Sequence, residues 1–143
     1  MQLGWVYRAQ TIPTNFYVAL LADTTTPNAD TNLMSDVSEV PAGNGYTSGG
    51  ISLNKNSTDF DVWTEDDTGD LGKVEIKDLV WTATGGNLPS SGNGARWAAF
   101  TDDNATVANR EIYAWWDLGS NRIVSDTQTL TLQDCELQIK TGS

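Results

Sequence analysis

The chain predicts an all-β fold, an antiparallel β-sandwich or flattened barrel of the jelly-roll or immunoglobulin-like kind. Three observations carry this. No stretch sustains a helical period of apolar residues; apolar runs of strand length recur at short intervals; and the separators are rich in Gly, Asn, Asp and Pro. The clearest pair is ARWAAFTDDNATVANREIYAWWD at 95–117. Side chains of an extended chain alternate between faces, so Arg96, Ala98 and Phe100 share one face and Trp97 and Ala99 the other. In the second half Ile112, Ala114 and Trp116 alternate with Tyr113 and Trp115. Both faces carry large apolar groups, which places this pair centrally in a sheet covered on both sides. Asp102, Asp103, Asn104 and Asn109 between them favour a loop, because their side chains compete for backbone hydrogen bonds.

From the start, residues 1–14 (MQLGWVYRAQTIPT) read as a short helix or arm, and residues 15–143 as one β-sandwich domain. Leu3, Val6 and Tyr7 have rough helical spacing, but Gly4 and Pro13 limit any helix. NFYVALLA at 15–22 is apolar on both faces and reads as an interior strand. DTTTPNADTN at 23–32 is a polar loop. In PAGNGYTSGG at 41–50, Asn44-Gly45 signals a tight turn and Gly49-Gly50 a bulge or close backbone approach. These glycines lack the Lys-Ser/Thr of a phosphate-binding P-loop. Strands follow at 51–53 and 60–63. TEDDTGDLG at 64–72 reads as a turn, and KVEIKDLVWTAT at 73–84 as one long strand, half-exposed at first and apolar throughout at Leu79, Val80 and Trp81. A flexible loop at 85–94 leads into the central pair. In the closing TLTLQDCELQIK the inward register switches near Asp134, where a bulge would flip it.

Eight basic against nineteen acidic residues give a formal charge of -11, which repels phosphate backbones and anionic lipid, so neither nucleic acid nor a membrane is an expected partner. No apolar run approaches the ~18 residues of a membrane span, and the basic-then-apolar order of a secretory signal is missing. Cys135 is the only cysteine and sits in a strand pattern, which makes it a buried, inert thiol. Histidine is absent, which removes the commonest general base and zinc ligand. Asp59, Asp61, Glu65, Asp66, Asp67 and Asp70 crowd one segment as calcium ligands do, but Trp63 and Thr64 occupy positions where a calcium loop of the EF-hand type needs a ligand and a glycine. A solvated acidic turn is the favoured reading, with calcium as its rival. No cofactor, metal or enzymatic activity is expected. The six tryptophans are mostly core filling. Trp115 and Trp116, being adjacent, point to opposite faces, so one of them is a candidate for outside contact.

The Arg8-Ala9 step, FYVALLADTTTP, the Gly-Tyr pair in GNGYTSGG, VWTA, RWAAFTDD, YAWWDL and the closing TLTL together resemble small virion structural proteins of tailed bacteriophages, over nearly the whole chain. That resemblance implies a capsid decoration (cement) protein or a tail-associated component, with no catalytic residue. The leading expectation is a decoration protein on the capsid surface of the virion, made in the host cytoplasm. Its partners would be the major capsid protein and copies of itself, a trimer being one option. A tail or fibre module binding host-surface carbohydrate is the alternative. The candidate interface comprises Trp5, Tyr7, Arg8, Trp115 and Trp116.

Overall fold

The computed structural model describes residues 11–69 and 71–140. The arm expected over residues 1–14 lies outside them except for its last four residues. Among the described residues nine strands run in chain order: β1 (Asn15–Leu21), β2 (Ile51–Asn54), β3 (Val62–Asp66), β4 (Leu71–Ile76), β5 (Leu79–Thr82), β6 (Ala95–Thr101), β7 (Ile112–Arg122), β8 (Thr129–Leu132) and β9 (Cys135–Lys140). Every pairing is antiparallel. The strands form a four-stranded sheet β2-β1-β6-β7, a three-stranded sheet β3-β4-β9 and a two-stranded sheet β5-β8. The sheets pack as a sandwich, and no closed barrel forms.

The two smaller sheets continue one another. Ile76 pairs with Cys135 and Leu79 with Leu132, so the ladder lapses at the same level on both strands. At the gap, Gln133 Nε2 donates to Asp78 Oδ2 at 3.0 Å, and Asp134 adopts a left-handed φ of 53°. The single strand read at 73–84 is therefore two strands. The register switch near Asp134 is real, but it arises because one strand ends and another begins, and no bulge within a continuous strand is needed.

The main core lies between the four-stranded sheet and this ribbon. Phe16, Val18, Leu20, Leu53, Ala98 and Phe100 meet Ile76, Leu79, Trp81 and Cys135. Aromatic rings tie the layer together, with Phe16 stacked on Phe100 at 4.9 Å. On the other face of the large sheet, Ala19, Leu21 and Ala99 are covered by Met34 and Val37 from the 31–40 loop and by Val107. That loop is pinned by Met34 N to Arg110 O (2.9 Å) and Ile112 N to Asn32 O (2.8 Å). β1 and β6 are thus buried on both faces, as their two-sided apolar pattern requires.

β7 departs from the sequence reading in two ways. It is the edge of its sheet, not a central strand. The register also slips between Phe100↔Ala114 and Thr101↔Ile112. The extra residue of this bulge puts Ile112 on the outer cluster, and Tyr113 joins Ala114 and Trp116 at the main core. Strict alternation fails wherever a bulge inserts a residue. Val80 likewise turns outward at 50 % exposure between inward Leu79 and Trp81, so β5 is one-sided and not apolar throughout.

The Gly-rich loop is a structural lock. Asn44 (φ 49°) and Gly45 (φ 94°) make the tight turn that closes the Gly43–Tyr46 bridge. Gly50 presses onto β1 so closely that a Cβ there would sit 1.9 Å from the Val18 carbonyl oxygen. Beside it, Glu39 accepts from Tyr46 Oη, Ser48 Oγ and the Gly49 amide, and Tyr46 Oη accepts from the Leu20 amide. Burial and the Glu39 charge push the Tyr46 hydroxyl far above its ordinary pKa. Arg110, 7 % exposed, donates to the carbonyls of Gly49 (3.1 Å) and Asn104 (3.0 Å) and lies 3.9 Å over the Tyr17 ring.

Candidate interaction surface

Trp5, Tyr7 and Arg8 lie outside the described residues. Trp115 and Trp116 do point to opposite faces. Trp116 turns inward, packs on the main core 6.5 Å from Phe100, and donates from Nε1 to the Glu136 carbonyl at 3.4 Å. It joins β7 to β9. Trp115 turns outward beside Ala99 and is 36 % exposed.

The most exposed large apolar side chain among the described residues is one the sequence reading treated as a strand end. Trp63 is 81 % exposed. The expected turn at 64–72 is shorter than thought, because β3 runs on through Asp66 and pairs with β4. Register places Trp63 opposite Val74, and Val74 opposite Leu137, so the three share one face. Leu137 packs against the main core. Burial falls along this row towards β3, the edge strand, and Trp63 stands exposed on the core-facing side of the ribbon. Glu65 shares its face two residues on, opposite Gly72, where an added Cβ would meet only open space. The sequence signal was an aromatic residue isolated in an acidic run, DVWTEDD.

A second feature lies at the other end of the ribbon. Between residues of β7 and β8 a cleft of about 470 Å³ opens, lined by Leu20, Trp81, Leu118, Leu130 and Leu132 together with the polar Asp117, Arg122 and Thr131. Arg122 donates from Nε and Nη2 to the Leu118 carbonyl (3.3 and 2.9 Å). It makes no ion pair among the described residues, whereas Lys73, Lys77 and Arg96 are all paired with carboxylates.

The acidic segment does not act as one unit. Asp59 is 3 % exposed and holds the β2–β3 connection to the end of β4: it accepts from the Asn54 amide at 2.7 Å and from Lys77 Nζ. Those two donors, the Lys77 bond foremost, hold its carboxyl below the usual range. Asp66 Oδ1 accepts from the amides of Thr68 and Gly69 and so caps the hairpin turn. Asp70 lies outside the described residues. Among the described residues no three Asp, Glu, Cys or His side chains converge to hold a metal ion. Lys73 bridges Glu136 and Glu75 on the outer face, and the Glu136 carboxyl is lowered chiefly by that lysine. Cys135 is buried, and burial with Asp134, Asp78 and Glu75 nearby pushes its thiol up to about 11, so it is protonated and unreactive at neutral pH. No described helix is long and apolar enough to cross a membrane. No protein-family model, curated protein or solved structure matches the chain.

Proposed function

We propose that this is a non-enzymatic virion structural protein, a decoration (cement) protein that binds the outer surface of an assembled phage head and stabilises it. The observation that carries the reading is a rigid β scaffold that leaves large aromatics, Trp63 above all, standing on its surface among charges. Aromatic anchors of this kind contribute most of the energy in protein contacts. The sequence resemblance supplies the virion, with the major capsid protein and copies of this chain as partners. A protein that binds the closed lattice and not free subunits stabilises the lattice by mass action. The acidic surface leaves DNA out, and the expected location is the capsid exterior after synthesis in the host cytoplasm.

The test compares binding of the full chain, and of a chain lacking residues 1–10, to capsids assembled without it, to free capsid subunits and to purified tails. The expected result is tight binding to capsids alone, weakened by the truncation while circular dichroism is unchanged. Binding to tails alone would overturn the head assignment. One observation favours a second reading: an indole this exposed, with Glu65 beside it, is also a platform on which a sugar ring can stack. On that reading the protein is a tail or fibre module, and Trp63→Ala would abolish binding to host-surface glycans.

A further inference from the structure

We propose that Trp63 of one copy seats in the cleft between β7 and β8 of the next copy, joining molecules head to tail. Both halves of the contact are present in every chain. The knob is an indole on a paired strand, so the backbone that bears it is already ordered and only the side chain's own rotamer freedom is lost on binding. The hole is lined by Leu20, Trp81, Leu118, Leu130 and Leu132 with Asp117, Arg122 and Thr131 among them, and its volume of about 470 Å³ exceeds that of an indole. Burying a tryptophan removes roughly 150–250 Å² from water, the largest gain any single side chain offers.

Charge selects the pairing. Glu65 stands on the same face as Trp63, and Asp61 immediately precedes the strand. Arg122 lines the cleft without a carboxylate partner among the described residues, and Asp117, which lines it too, is already paired with Arg96. A Trp63 entering the cleft therefore brings Glu65 towards Arg122. The contact cannot close within one chain. Trp63 lies against β4 and β9 at one end of the ribbon, and the cleft lies against β5 and β8 at the other. Because two different patches meet, the contact is heterologous: it closes into a ring if the rotation permits and otherwise makes an open chain. The charge of -11 on each copy opposes approach, and salt screens that repulsion.

The inference deepens the assembly reading but can fail without it: a monomer that still binds capsids would leave the decoration role standing and remove this contact. Sedimentation velocity of the full chain over a concentration series provides the test. The expected result is a mass that rises with concentration, more at physiological ionic strength than at very low salt. Trp63→Ala, exposed and harmless to folding, should remain monomeric throughout, and Arg122→Glu should weaken association by about tenfold. Trp63→Ala retains the hole and Glu65→Arg with Arg122→Glu restores the opposite charges, so the double variant should regain association that Arg122→Glu lost. A wild-type chain that stays monomeric at every concentration, or association that survives Trp63→Ala, would overturn the proposal. Association that needs Trp63 but ignores Arg122 would overturn the cleft as its seat.

Discussion

The sheet β2-β1-β6-β7 and the sheet β3-β4-β9 are built from the same kind of strand, yet they do opposite things. In the first, β1 carries Val18, Leu20 and Leu21 at 0 % exposure, because the ribbon covers one face and the 31–40 loop the other. In the second, only one face meets the core, and cover runs out before β3. The outer strand of the first sheet is still held through Trp116, whereas Trp63 at the outer strand of the second stays largely exposed. Strand chemistry sets where side chains point; neighbours decide whether pointing inward means being buried. Burial is concentrated in the doubly covered sheet, and the most exposed large apolar side chain stands on the singly covered one.

This contrast breaks most sharply in the buried sheet. Leu20→Ala should lower unfolding free energy by roughly 2–5 kcal/mol in urea titration, since the side chain it truncates is fully buried in the main core. A loss under about 1 kcal/mol would mean that the sandwich collapses around the site and is less tightly packed than its burial implies. Arg110→Met comes next. It keeps volume but loses two bonds to carbonyls and the Tyr17 contact, so roughly 2–3 kcal/mol should go, again by denaturant melt.

Asp59 joins the two regions, and acid is the way to probe it. Its folded pKa lies below the ordinary value, so the stability it contributes is present above that value and is lost as pH falls through about 4 and lower. Asp59→Asn should cost roughly 1–2 kcal/mol at neutral pH and flatten the acid limb of a stability-versus-pH curve. An acid limb identical to wild type would assign acid sensitivity to other carboxylates. The smallest effect is expected at the exposed edge: Trp63→Ala should change stability by no more than about 0.5 kcal/mol, while removing the red-most part of the tryptophan emission. A large loss of stability would show that the indole is covered in solution.

Much of this fold could be read along the chain because the signals are local. A run apolar on both faces marked β1, and period-two alternation marked β6 and the aromatic strand after it; Asn44-Gly45 marked its turn through backbone φ alone; Gly50 was readable as a bulge or close approach; and Cys135 as a buried thiol. Those properties belong to a residue and its immediate neighbours, so they survive without knowledge of the fold. What could not be read depends on partners distant in sequence. The slip that sends Ile112 and Tyr113 to different faces exists only against β6. Asp59 looked like one of six solvated carboxylates until Lys77 met it, and the enclosure of Arg110 by Gly49 and Asn104 left no local signal. Trp63 had the hydrophobicity of a core residue, and its exposure follows from standing on an edge strand beyond the reach of the opposing sheet. Edge position, and with it the surface available to a partner, is a property of strand order, which is set by pairings between residues far apart in the chain and leaves no mark on any one stretch of it.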